Sequence, residues 1–191
     1  MKLFEVDCGR LDRYLTRRRI EFWNLIVTEG KDAPDKVDGE LDFRKEKEVK
    51  KDISAVIDAH ESSSPQLEFS EEHDWHYVRN EGTLDTLLEF ILPRECAGNS
   101  DLIYLTSVIM STIAESQIFA DGNKRTAYLA GVDFLSSVQR DKGMTQSVIP
   151  SLDEELVRLL QEVAEGESSQ KSLYSFLNGL REDIEEYAGS G

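Results

Sequence analysis

Apolar residues recur at three- and four-residue spacing along most of the 191-residue chain, and the pattern predicts helices almost throughout. Between Cys8 and Val27 they fall at Leu11, Tyr14, Leu15, Phe22, Trp23 and Ile26, which reads as one helix. The basic run Thr16-Arg-Arg-Arg19 inside it reads as a solvated helix face. Glu46–His60 is a charged helix with Val49, Ile53, Val56 and Ile57 on its apolar side. Thr83–Leu92 reads as a short helix closed by Pro93, because proline lacks the N–H that a continuing helix needs. Leu102–Ile118 is the longest apolar stretch. Leu102, Leu105, Ile109, Ile113 and Ala114 share one face, with Ile103, Val108 and Met110 near the other. A helix apolar most of the way round belongs at the centre of a bundle.

A second buried helix, Thr126–Val138, follows that central one. Leu152–Ala164 begins with Ser151 and Glu154 at capping-box spacing, and Lys171–Tyr187 closes the chain. The connections are polar: a linker over Glu29–Asp42, a break at Ser62–Pro65, an irregular stretch over Leu67–Asn80 and a turn region over Gln139–Pro150. No internal repeat is visible and strands are few at most. The expected fold class is all-α.

Composition fits one globular domain, with 39% hydrophobic and 31% charged residues. The net charge of −16 is less ordinary. Such a surface repels polyanions, so direct nucleic-acid binding is not expected. The acidity fits a high-salt cytoplasm, an ordinary acidic protein or a surface covered by a basic partner, and composition leaves all three open. Cys8 and Cys96 lack metal-type spacing and point to a reducing cytosol rather than a disulfide scaffold. No apolar run reaches the ~18 residues of a membrane span, and Met1–Asp7 has no signal-peptide core. The expected location is the cytoplasm, without a membrane partner.

The densest chemistry lies in Gln117-Ile-Phe-Ala-Asp-Gly-Asn-Lys-Arg-Thr126. An acid, a glycine, an amide and two cations sit within five residues, just ahead of a helix. A glycine turn opening a helix presents backbone N–H groups and the positive end of the helix dipole to an anion. Gly122 permits close backbone approach, and Asn123, Lys124 and Arg125 add donors around the same point. Asp121 can hold Mg²⁺, which prefers carboxylate and phosphate oxygens. Phe119, with no polar atom, should anchor the loop in the core. Taken alone, Asp-Gly-Asn-Lys is also a plain turn between helices.

These residues also resemble a known family. Read as His-x-Phe-x-Asp-Gly-Asn-Lys-Arg with Gln117 at the first position, the segment is similar to the Fic/Doc signature, and its Asn-Lys-Arg-Thr ending resembles the Doc (death-on-curing) toxin branch. Val49–His60 resembles the family's opening helix. Gly82–Glu89 with Pro93 resembles its glycine turn and short helix, and Leu152–Leu177 resembles its C-terminal helices. The resemblance covers residues 46–182, leaving 1–45 as an N-terminal extension of helix plus linker and 183–191 as a tail. It implies a helical bundle around a central buried helix, ATP and Mg²⁺ as nucleotide and metal, and transfer of phosphate or AMP to a hydroxyl of a target protein such as a translation factor. It also implies a catalytic set at positions 117, 121, 124 and 125, a phosphate site of Gly122, Asn123, Lys124 and Arg125, and Asp121 as metal ligand. Lys124, where typical Fic proteins have a second glycine, favours phosphate transfer over AMP transfer.

The departure is Gln117. The family's histidine takes the proton of the target hydroxyl, and a glutamine amide has no useful basicity. Losing a general base typically costs ~10²–10⁴-fold in rate. A natural pseudo-enzyme, an enzyme with another base and a deliberately disarmed toxin remain open, as does a non-catalytic nucleotide- or protein-binding module. His60 is a replacement base only if the fold brings it near, and His73 with His76 reads as a surface loop rather than a metal site. The family's self-inhibiting Ser/Thr-x-x-x-Glu-Gly/Asn helix is not matched, so inhibition is expected from an antitoxin chain. A homodimer stays open.

Overall fold

The computed structural model describes residues 4–29, 80–143, 154–179 and 181. The expected helix at Glu46–His60, the linker and break around it, most of Leu67–Asn80, His60, His73, His76, the Ser151 cap and the 183–191 tail lie outside the described residues. Within them the chain is mostly helical, with one isolated antiparallel bridge, Glu5 to Asp101, and no strand. The helices are α1 (Leu11–Tyr14), α2 (Arg17–Glu29), α3 (Glu81–Thr86), α4 (Leu92–Gly98), α5 (Leu102–Glu115), α6 (Asn123–Asp141), α7 (Glu154–Ala164) and α8 (Gln170–Gly179).

The helices α5 and α6 form the centre, packed on each other more extensively than any other pair. In α5, Leu102, Ile103, Leu105, Ile109, Met110 and Ile113 are all buried, so both apolar faces seen in the sequence are covered. Asp101 caps it by accepting from the Tyr104 N–H at 2.8 Å. Gly131 lets the two axes approach, since a Cβ there would lie 2.4 Å from Met110 Cε. The helices α7 and α8 cover α5, and α1 and α2 lie along α6. Among the described residues, no helix is long and apolar enough to cross a membrane.

Three expectations are corrected. The predicted helix from Cys8 to Val27 is broken at Leu15–Thr16, where Leu15 is extended (φ −146°, ψ 127°). Thr16 Oγ1 accepts from the Arg19 N–H at 3.2 Å, so a hydroxyl starts α2 where the apolar pattern alone continues α1. Pro93 does not end its helix. It sits in the first turn of α4, and Leu87–Ile91 ahead of it is a π turn in which the Leu92 N–H reaches the Leu87 carbonyl. The wider turn gives the proline ring the room that an α-helix denies it.

The third correction concerns the cysteines. Cys8 and Cys96 are joined by a disulfide across 88 residues. Their distance in sequence hides that the N-terminal segment lies on the α4–α5 corner. There Val6 N donates to the Ser100 carbonyl at 2.8 Å and Leu102 N to the Phe4 carbonyl at 2.7 Å.

Candidate functional site

The segment between α5 and α6 is the loop that carries the candidate site residues. Ser116 ends α5, with its N–H on the Thr112 carbonyl at 3.2 Å. Gln117 then takes the left-handed conformation at φ 45°, the only non-glycine with positive φ among the described residues. Glycine or asparagine usually fills this position after a helix, and another L-residue there costs about 1–2 kcal/mol. The glutamine side chain is exposed. Ile118 and Phe119 turn back into the core at 0% and 1% exposure, which anchors the loop as its one aromatic residue suggested.

Three asparagines pin the loop. The backbone N–H of Asn80 donates to the Ile118 carbonyl at 3.1 Å. The amide of Asn123 closes a ring on Phe119, donating to its carbonyl at 2.9 Å and accepting from its N–H at 2.8 Å. The amide is thereby engaged within the loop itself. Asn24, fully buried on α2, donates from Nδ2 to the Asp121 carbonyl at 2.8 Å and to Thr126 Oγ1 at 3.1 Å. Sequence reasoning had no signal for that link, because it spans 97 residues.

Gly122 opens α6 in the left-handed conformation at φ 74° and caps it with no side chain, and the first turn holds no acid. The Gly122 N–H donates to Asp121 Oδ1 at 2.8 Å, which turns that exposed carboxylate along the loop. Lys124 lies in the first turn with Nζ 3.6 Å from a carboxylate oxygen of Glu165, at the end of α7. Arg125 is different. It is only 7% exposed, and among the described residues no side-chain hydrogen bond or ion pair reaches it, yet its guanidinium nitrogens are not among the atoms closed off from solvent without a partner. A guanidinium held in this way by its packed stem can meet an anion at the head of the helix.

The structure thus brings Asp121, Gly122, Lys124 and Arg125 into one turn at the head of a nineteen-residue helix, with Gln117 at the other end of the same loop. Among the described residues no three His, Cys, Asp or Glu side chains gather to hold a metal. Asp121 offers one carboxylate, which suits a Mg²⁺ bound chiefly by phosphate oxygens and water.

A second polar cluster lies farther along α6. Asp133 is fully buried, and Arg19 grips it from Nε to Oδ2 at 2.9 Å and from Nη2 to Oδ1 at 2.6 Å. Trp23 Nε1 donates to Oδ2 at 3.1 Å, and Ser137 Oγ to Oδ1 at 3.4 Å. The basic run is therefore not one solvated face. Arg18 is exposed, Arg19 is sequestered, and Arg17 bonds Glu21 at 2.8 Å and Asp85 at 3.0 Å. At the end of α6, Asp141 accepts from Tyr14 Oη at 2.9 Å and from Arg10 at 2.7 Å. Burial first, and then that carboxylate, push the Tyr14 pKa up to about 12.

Comparison with protein-family models, with curated proteins and with solved structures finds no match to this chain.

Proposed function

We propose that the chain binds ATP with Mg²⁺ at the head of α6 and is built as a Doc-like toxin that transfers the terminal phosphate to a hydroxyl of a target protein such as a translation factor. The observation that carries the anion site is Arg125, its stem packed in the first turn of a helix whose cap is a bare glycine, with no carboxylate paired to it among the described residues. A phosphate there meets the dipole, a guanidinium able to grip two oxygens and the Lys124 ammonium. Asp121 would hold Mg²⁺, which when bound neutralises charge on the leaving phosphate oxygens. Lys124 in place of a second glycine supports phosphate over AMP as the group moved. An antitoxin segment laid across the loop would keep such a toxin silent.

Transfer joins the target oxygen to the γ-phosphorus, breaks the bond to the β–γ bridging oxygen and releases ADP. The hydroxyl proton needs an acceptor, and the exposed Gln117 amide cannot be one. That residue favours a second reading, a Fic/Doc-like module that binds nucleotide or protein and transfers nothing. The test is incorporation of label from ATP labelled at the γ- or the α-phosphate into cytosolic extract, with the chain as it stands and with Gln117→His. Incorporation of γ-label by Gln117→His at ~10²-fold or more above the unsubstituted chain supports a silenced phosphotransferase. Label from the α-position reassigns the group to AMP. Silence from both proteins alongside measurable ATP binding leaves the binding module.

A further inference from the structure

We infer that Asn24 is a positioning residue for the loop, aiming the Asp121 carboxylate from a helix outside the stretch that carries the family resemblance. The inference rests on the nucleotide reading above. Its physical basis is the planarity of the peptide group joining Asp121 to Gly122. In a trans peptide the C=O and N–H point in opposite directions, so whatever holds the carbonyl also directs the amide. Asn24 Nδ2 holds the Asp121 carbonyl at 2.8 Å. The Gly122 N–H, on the other side of that plane, holds Asp121 Oδ1 at 2.8 Å. The carboxylate is therefore aimed through two hydrogen bonds and one rigid plane.

The second contact of Asn24, to Thr126 Oγ1 at 3.1 Å, ties the same amide to the first turn of α6, where the Thr126 N–H makes its bond to the Gly122 carbonyl at 2.8 Å. Loop and helix start are thus referenced to one buried side chain. The helix that carries Asn24 is latched to Asp133 of α6 by Arg19 and by the neighbouring Trp23. Gly122 is left-handed and has no Cβ, so this peptide gains no steric restraint from a side chain at that position. The Asn24 amide adds a restraint from outside the turn, on α2. Residues 17–24 accordingly belong to the site as a supporting wall and position the proposed Mg²⁺ ligand without touching nucleotide.

The experiment is calorimetric titration of ATP, with and without Mg²⁺, into the full chain and into Asn24→Ala and Tyr14→Phe. Asn24→Ala is expected to reduce the gain in ATP affinity on adding Mg²⁺ by on the order of tenfold, the worth of one well-placed hydrogen bond. Affinity without Mg²⁺, carried by Lys124 and Arg125, should change by less than about twofold. Tyr14→Phe removes the bond to Asp141 at the far end of α6, away from α2 and the loop, and should leave the Mg²⁺ gain intact, which separates positioning from stability. If Asn24→Ala does not fold, Asn24→Ser, which retains a single donor, is titrated in the same way. An equal Mg²⁺ gain in the Asn24 variant and the full chain overturns the inference while the nucleotide reading stands. Failure of the unsubstituted chain to bind ATP under either condition overturns both.

Discussion

Two buried charges on one helix are treated in opposite ways. Asp133, in the middle of α6, is fully enclosed and meets Arg19, Trp23 and Ser137. Arg125, two turns earlier, is almost as enclosed and meets no counter-charge among the described residues. Satisfied, a buried charge locks two elements together; an arginine with a packed stem and no carboxylate on its head keeps that head for another anion. The first arrangement is what a structural latch looks like. The second makes sense where an anion completes the set, and it lies at a helix N-terminus beside a lysine and a glycine turn.

The largest expected effect breaks the satisfied side of this comparison. Asp133→Ala strands the Arg19 guanidinium and the Trp23 indole N–H, and should lower stability by about 3–5 kcal/mol in denaturant unfolding. A loss under ~1 kcal/mol would mean that the latch holds little. Reduction of the Cys8–Cys96 bridge comes next, since it releases the loop closed over 88 residues. The expected loss is about 2–4 kcal/mol, read as a fall in midpoint between Cys8→Ala/Cys96→Ala and the oxidised chain. If instead that variant unfolds at an unchanged midpoint, the Asp133 latch alone suffices to keep the N-terminal helices on α6.

A smaller effect concerns the far end of the latch. The folded-state pKa of Tyr14 is raised from 10.0 to about 12, so the neutral phenol is favoured in the folded chain. Its contribution is fully present below pH 10 and is lost as pH rises from about 10 to about 12. Tyr14→Phe should flatten the fall in thermal midpoint across that window. An unchanged slope would place the alkaline sensitivity elsewhere.

How much of this was legible in the sequence follows from the range of each interaction. The central helix and its partner were readable because their apolar periodicity is local and nearly complete, as at Leu102, Leu105, Ile109 and Ile113. The loop was readable because its residues are contiguous and glycine is needed at its turn. The break at Thr16 was present as a capping hydroxyl but masked by the apolar Leu15 before it. Pro93 carried its usual breaking signal, and only the π turn ahead of it shows why the helix continues. The pairing of Arg19 with Asp133 spans 114 residues and leaves no local trace, although an acid among Leu129, Val132, Phe134 and Leu135 was a hint that it has a partner. Asn24 and Glu165 reach the loop from distant helices, and nothing near them in sequence points to it.

The unsatisfied side of the comparison is tested most directly by thermal unfolding of the chain and of Arg125→Met, each with and without ATP and Mg²⁺. Replacing Arg125 by an apolar side chain of similar length removes no ion pair among the described residues and should leave the midpoint within the equivalent of about 1 kcal/mol of the unsubstituted chain. Nucleotide at a hundred times its Kd should stabilise the unsubstituted chain by roughly 2.7 kcal/mol and leave Arg125→Met unmoved. A variant that melts well below the unsubstituted chain, together with no shift on adding ATP and Mg²⁺, would contradict the account and make Arg125 a structural residue of the core.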